Sequence, residues 1–410
     1  MPASSSARWC SAARSANLTR RAAPFYLHAL DELDHPARVL ELGADDFALV
    51  NPNTGAAPIF RSRRDAEITT RLYRTHPVLV KHGEASESLG QQPDRKVWPV
   101  KYLRMFDMTN DSGLFMTRIE LAKQGFEPAP MNRWRKGDAE AVPLYVGRMV
   151  HQFDHRHASV TVNEENLHNA AQGSPLDSAQ KADPIVFPAP QYWVHADAVP
   201  AALRRDWALG FRDIARATDV RTMIASIIPT TAAGNTLPLL VGNDAPLPAA
   251  TACRLLANLN SLALDYVARQ KAQSTHLNWY IVEQLPVIAP ERFETSIGGV
   301  KIADFIREQV LHLSYTAHDL APFARDLGHV NADGSVKPPF IWNDEDRRTR
   351  LAALDGLFMH LYGLAEDDAA YILDTFPIVR EQDDAAFGRF RTKDDVIAAL
   401  HRVSKGVLAV

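Results

Sequence analysis

Apolar residues recur at helical spacing over 249–271, where Leu255, Leu256, Leu259, Leu262, Ala263, Tyr266 and Val267 form one stripe that predicts a single helix. Asn258, Ser261, Asp265 and Arg269 fall on the flanks of that stripe. Ile302, Phe305, Ile306, Val310 and Leu313 mark a second helical face, and Leu351, Leu354, Leu357, Phe358 and Leu361 a third. Thr392-Lys393-Asp394-Asp395 reads as a capping box and predicts the start of a last helix. Nearer the N-terminus, 25–33 and 63–75 read as helices, while 39–42, 48–50, 77–80 and 97–107 read as strands. Segment 280–288 also reads as a strand, broken by Pro286. Asn51-Pro52-Asn53-Thr54-Gly55 is turn chemistry, 83–95 a polar loop, and 163–190 a long surface loop or insertion. The pattern predicts an α+β chain with a helical C-terminal third.

The composition is that of a globular protein: 410 residues, 46% hydrophobic and 23% charged, with a net charge of -4. That balance excludes a uniformly basic coat for nucleic acid. Two cysteines, Cys10 and Cys253, exclude a disulfide scaffold and a four-cysteine zinc site. No apolar run reaches the roughly 20 residues of a membrane span, so a soluble, cytoplasmic protein is expected. Charge is graded along the chain. Residues 1–156 hold 22 Lys+Arg against 18 Asp+Glu, residues 157–290 hold 9 against 11, and residues 291–410 hold 14 against 20. A polyanion would meet the first part most readily. The first 24 residues are rich in Ser, Ala and Arg, and no acid precedes Asp31. They fit a transit-peptide composition or a ragged start, and a disordered segment over 1–20 is the expectation.

Several local motifs invite chemistry. Val39-Leu40-Glu41-Leu42-Gly43 has the strand-to-glycine form of a loop that cradles S-adenosylmethionine, but the next glycine is Gly55. An amino-methyltransferase also needs an Asn/Asp-Pro-Pro-aromatic tetrapeptide. Lys337-Pro338-Pro339-Phe340 has lysine where an acceptor is required, and Asn51-Pro52-Asn53-Thr54 lacks the second proline and the aromatic residue. His151-Gln152-Phe153-Asp154-His155-Arg156-His157 is the densest set of potential metal ligands, open to a metal-dependent hydrolase or to a loop facing phosphates. Asp94-Arg95-Lys96 supplies half of a magnesium nuclease motif without its upstream Pro-Asp, and no Gly-x-Ser-x-Gly elbow is present.

Taken together, a series of ordered segments resembles one family. They are Asn51-Pro-Asn-Thr54, Pro58-Ile-Phe-Arg-Ser-Arg-Arg-Asp65, Tyr102-Leu-Arg-Met-Phe-Asp-Met-Thr-Asn-Asp-Ser112 and Leu144-Tyr-Val-Gly-Arg-Met-Val-His-Gln-Phe-Asp-His-Arg156. Then come Gly210-Phe-Arg-Asp-Ile-Ala215, Arg221-Thr-Met-Ile-Ala225, Asp265-Tyr-Val-Ala-Arg-Gln-Lys271 and Leu277-Asn-Trp-Tyr-Ile-Val-Glu-Gln-Leu-Pro286. Leu361-Tyr-Gly363 and Tyr371-Ile-Leu-Asp-Thr-Phe376 follow. Over roughly 17–405 this is similar to the C-terminal, post-catalytic half of bacterial restriction–modification methyltransferases of type IIG, which methylate adenine in a specific DNA sequence. In that family the cofactor loop and the Asn-Pro-Pro-aromatic motif lie N-terminal to everything matched here.

The resemblance therefore implies target recognition without catalytic residues. It implies a mixed-sheet recognition domain followed by a helical spacer. The expected divisions are a connector over 21–140, the recognition domain over 141–290 and the helical domain over 291–410. The expected partners are double-stranded DNA and a methylase module upstream or in trans; that module, not this chain, would use S-adenosylmethionine. Arg156, Arg212, Arg221, Arg269, Gln270 and Lys271 are the candidate DNA contacts, with no metal ligand among them. For Arg212 and Arg221 an internal ion pair with Asp213 or Asp219 is the alternative, while Lys271 is placed to project freely at a helix end. Two enzymatic alternatives stand beside this reading: residual methyl transfer at Gly43, and metal-dependent hydrolysis at the 151–157 cluster.

Overall fold

A computed structural model describes residues 21–24, 39–42, 44–56, 60–83, 85–86, 90–203, 205–229, 231–272 and 275–410. The chain divides into two compact units, Met1–Thr70 and Arg71–Val410. The expected disordered start, the helix over 25–33 and Gly43 lie outside the described residues.

In the first unit, Arg21–Pro24 pairs antiparallel with Val39–Leu42. The helix Ala44–Val50 takes up 48–50, which the sequence pattern reads as strand. Asn51 closes the expected turn by donating its side-chain amide to the Ala56 carbonyl at 2.8 Å. The helix expected over 63–75 is present with those bounds, Arg63–Thr75, and spans the division at Thr70/Arg71.

The second unit is built on two antiparallel sheets. One has the order Ala225–Pro229, Trp207–Phe211, Leu239–Gly242 and Val100–Leu103. The other runs Trp193–His195, Ala139–Tyr145, Arg133–Lys136 and Glu127–Ala129, with Ala232–Ala233 parallel to Ala139–Tyr145. Tyr145, Met149, Val160, Ile228, Ala233 and Leu239 form one core cluster, so residues from both sheets bury one another. All five residues of Ala225–Pro229 are buried, because the helix Ala249–Asn260 packs on this strand. The expected boundary at 140/141 falls inside the strand Ala139–Tyr145. The mixed α+β architecture and the helical C-terminal region agree with the sequence pattern.

The helix expected over 249–271 is two helices, Ala249–Asn260 and Leu262–Lys271. Ser261 is extended at φ −66° and ψ 144°, and its hydroxyl accepts from the Leu264 amide, starting the second helix with a cap. The break turns the flanking polar residues inward. Asn258 and Asp265 are 0% exposed and Asn260 3%. Asn260 engages both backbone groups of Ala225, accepting from its N–H at 2.9 Å and donating to its carbonyl at 3.0 Å. Asn258 bridges the Ile288 amide and the Tyr362 hydroxyl. Segment 280–288 is therefore not a strand: the helix Trp279–Val282 and a turn lead to Pro286, which makes an isolated bridge with Val78.

In the C-terminal region, Ile302–Ser314 and Asp344–Leu361 occupy the two predicted helical faces. Gly356 lets Asp344–Leu361 and Arg391–Ser404 approach closely, since an added Cβ would lie 2.5 Å from that of Ala399. The last helix starts at Arg391, one residue before the expected capping box, and Asp383 accepts from the Thr392 amide. Capping boxes occur instead at Thr117/Glu120 and Asp177/Gln180, the second within the segment expected to be a loop.

Candidate functional site

Ala139–Tyr145 ends in the turn Gly147–Met149, and the chain then reverses again over His151–Asp154, whose end residues exchange backbone hydrogen bonds of 2.8 and 3.0 Å. Phe153 sits in this turn at φ 55°, a conformation costing a bulky side chain roughly 1–3 kcal/mol. Burial of its ring, 2% exposed, and donation of its amide to the Ala225 carbonyl hold it there. The strained turn sorts 151–157 into two sets.

One set points inward. Asp154 accepts from Lys181 Nζ at 2.6 Å and from the Arg156 amide at 2.9 Å. Burial alone would raise its carboxyl, but the Lys181 and Arg347 charges bring it down to about 2. His155 Nε2 meets Asp319 Oδ1 at 2.9 Å. Arg156 is 0% exposed and donates to the carbonyls of Asp183, Val186, Lys181 and Thr316 at 2.6–2.9 Å. It ties segment 181–186 to Thr316 and does not face a ligand. This arrangement also separates the ligands that a metal-dependent hydrolase would need to converge. Among the described residues, no group of three or more His, Cys, Asp or Glu is placed to hold a metal.

Arg221 and Arg269 are likewise internal. Arg221 Nε donates to Asp265 at 2.8 Å, while Arg269 donates to the carbonyls of Ala217, Asp219 and Val220 and lies over the Phe376 ring. Asp265 also accepts from the Thr222 and Met223 amides at 2.9 and 2.7 Å. The ion pair of Arg221 is thus made with Asp265, not with Asp213 or Asp219. Gln270 donates back to the Tyr266 carbonyl at 3.4 Å. Lys271 does not project freely: its ammonium lies 5.0 Å from the Tyr73 ring centroid and 3.3 Å from the Gln284 carbonyl, and burial lowers its pKa to about 7.

The remaining candidate, Arg212, differs from the others. It follows Trp207–Phe211, and its amide donates to the Ile224 carbonyl at 2.9 Å. Its Nε is buried without a partner, and its side chain makes no hydrogen bond or ion pair among the described residues. Burial lowers its pKa, Asp219 opposes that shift, and the charge of nearby Arg148 adds to it. Arg148 is exposed, lies against Gly173 and has no ion-pair partner among the described residues. Gly147 allows this packing: a Cβ there would lie 2.4 Å from the Thr236 carbonyl oxygen and 3.7 Å from Arg212 Cγ. Thr236 Oγ1 accepts from the Gly147 amide at 3.1 Å, and Asn235, next to Thr236, has its Oδ1 buried without a partner.

His151 and His157 form the other set, both half-buried, with ring centroids 4.9 Å apart. Burial lowers His151 to about 3, with His157 and Arg212 adding to the shift. Burial likewise lowers His157, Asp154 opposing and Lys181 and Arg212 reinforcing the change. Both imidazoles are therefore neutral at pH 7, and each offers one N–H donor. Two arginines without acceptors among the described residues and two neutral imidazoles make a donor-rich group, on which Asp219 and Asp154 are the acids that act.

A polar and aromatic cluster lies around Phe211, whose ring centroid is 6.3 Å from that of Tyr102. The Tyr102 and Trp279 rings stack at 5.1 Å and 25°, Arg104 Nε donates to the Tyr102 hydroxyl at 2.6 Å, and Asp213 accepts from His276 Nδ1 at 2.7 Å. The sequence reading missed Arg148 and both stacked rings. The absence of any acid between Glu140 and Asp154 was an available sign that Arg148 had no local partner. No protein-family model matches the chain, and no curated protein matches it. Among the described residues, no helix is long and apolar enough to cross a membrane.

Proposed function

We propose that the chain recognises double-stranded DNA as the target-recognition portion of a site-specific adenine methyltransferase of a restriction–modification system. Methyl transfer and S-adenosylmethionine belong, on this reading, to a methylase module upstream or in trans. The observation that supports it is the Arg148–Arg212 pair, whose guanidinium groups make no hydrogen bond or ion pair with a carboxylate or carbonyl among the described residues. Such groups suit backbone phosphates, and the stacked Tyr102 and Trp279 beside Arg104 provide a face for bases or sugars. The DNA contacts move accordingly from the buried arginines to Arg148, Arg212 and Arg104.

Fluorescence anisotropy with labelled duplexes at graded salt tests the proposal. Binding should weaken with salt, and the Arg148→Ala/Arg212→Ala double variant should lower the slope of log K against log salt by about 2. A slope near zero in the parent protein, or one unchanged in the double variant, overturns the assignment. The isolated chain should transfer no methyl group from labelled S-adenosylmethionine to DNA.

A further inference from the structure

Trp134 and Trp193 stand on strands of one sheet, their ring centroids 6.0 Å apart and their planes at 77°, so the two indoles form a corner. Both line a cavity of about 250 Å³ that Val160, Val162 and Leu167 line as well. The segments around it are fastened to one another. Asn132 donates its side-chain amide to the Pro188 carbonyl at 2.7 Å, and its own carbonyl accepts from the Trp193 indole N–H at 2.6 Å. Those bonds hold a turn in which Met131 and Asn132 both have positive φ, 62° and 56°, a conformation that persists only where the surroundings enforce it. The Val160 amide in turn donates to the Ala189 carbonyl at 2.8 Å. The cavity is thus a preformed part of the fold.

Its chemistry narrows what it can hold. The volume lies below the roughly 300–1,000 Å³ of sites for drug-sized ligands, so the occupant is one ring system. Indoles and branched aliphatic side chains favour a flat ring. The polar groups are few but unspent. The half-buried Trp134 makes no hydrogen bond through its indole N–H among the described residues, and Gln191 uses one amide N–H, on the Leu167 carbonyl at 3.1 Å. A ring with donors and acceptors on its edge, as in a nucleobase, satisfies them. Two arginines and no acid line the cavity. Arg133 is held by Glu140 at 2.8 Å, whereas Arg118 pairs with Glu164 at the surface, with the two side chains 47% and 73% exposed. So exposed a pair contributes little, and its arginine can turn to a phosphate. The same arginines disfavour an organic cation, which the indole corner alone would attract.

We infer that this cleft binds a nucleotide, its base set against the Trp134–Trp193 corner and its phosphate met by Arg118. A free mononucleotide and an unpaired nucleotide in a strand share that chemistry. The cleft has no lining residue in common with the Arg148–Arg212 pair, so the two sites stand or fall separately.

Quenching of tryptophan emission by the nucleoside 5′-monophosphates tests this on the full chain. Anisotropy with a labelled duplex carrying one bulged nucleotide, and with its fully paired counterpart, tests the strand as source. At least one monophosphate should quench saturably and bind more tightly than its nucleoside. Trp134→Leu should weaken that binding by roughly 5- to 150-fold, the range of one base–aromatic stack. Arg118→Ala alters only an exposed side chain and should bring the monophosphate to the affinity of its nucleoside, which decides the matter should Trp134→Leu not fold. A bulged duplex preferred over the paired one, with the preference lost in Trp134→Leu, also supports the inference. Monophosphate binding that both variants weaken, without binding of either duplex, supports it and overturns the DNA reading. Monophosphate binding unchanged in both variants places the nucleotide elsewhere and overturns it. Duplex binding with no preference for the bulge and no monophosphate binding overturns the inference and leaves the DNA reading standing. Binding of no probe overturns both.

Discussion

Two sets of arginines, close in sequence, have opposite roles. Arg156, Arg221 and Arg269 are at most 8% exposed and are engaged by carbonyls or by Asp265. Arg212 acts on a pair of neutral imidazoles and Arg148 acts on Arg212, and neither arginine has such a partner among the described residues. The inward set fastens loop 212–223 and the His151–Asp154 turn, and so fixes the backbone from which the outward set projects. An arginine-rich segment is therefore a poor guide to a binding face: those with the best geometry for an anion already have acceptors within the protein.

The sharpest way to break this contrast is to remove the acid at the centre of the inward set. Asp265→Ala leaves Arg221 and Arg269 buried without their carboxylate and strips the Thr222 and Met223 amides of an acceptor. A loss of about 3–5 kcal/mol is expected, read as a lowered urea midpoint.

A neighbouring acid should respond in the opposite direction. Burial raises Asp355 to about 6 from the ordinary 3.8, against the opposing pull of Arg221 and of the Leu262 amide, which donates to it at 2.7 Å. Between about pH 4 and about pH 6 the folded chain retains a proton that the unfolded chain releases, so stability falls as pH rises through that window. Asp355→Asn keeps an acceptor for Leu262 and should stabilise the protein by up to about 3 kcal/mol at pH 8. The gain should vanish below about pH 4, which denaturation curves at the two pH values would show.

Gly147→Ala tests the support of the outward set. Its Cβ would press on the Thr236 carbonyl, which must shift, while only touching Arg212 Cγ, for a cost of about 1–3 kcal/mol in thermal unfolding. The smallest stability effect belongs to the outward set itself. Arg148→Ala should shift stability by less than about 0.5 kcal/mol while impairing duplex binding. A large loss of stability there would erase the distinction between the two sets.

Sequence periodicity found elements whose burial is local. Arg63–Thr75 and Ile302–Ser314 were legible because each carries its own apolar face. The break at Ser261 was not, since a continuous apolar stripe runs through it and only a hydroxyl cap marks the interruption. Segment 280–288 has strand-like composition, but apart from the exposed Tyr280 its residues bury themselves in a short helix and turn. The arginine roles were hidden by distance. Arg221 meets an acid 44 residues away and Arg156 a carbonyl 160 residues away, whereas sequence spacing offered only Asp213 and Asp219. The site itself was half legible: its histidines and Arg212 stood out, while Arg148 and the Tyr102–Trp279 stack required the fold to bring them together.

The carboxamide of Asn260 has a consequence for how the molecule keeps to itself. Ala225–Pro229 is the outermost strand of its sheet, the kind of border on which a second polypeptide can add hydrogen bonds and begin to polymerise. At Ala225 both backbone groups are already occupied by that one side chain, which imitates a neighbouring peptide without offering a further strand to follow. Asn260 is thus a stop at that border. Replacing it with Leu would unmask the Ala225 amide, while the carbonyl still accepts from Phe153, and light scattering on a concentrated sample would report the resulting self-association.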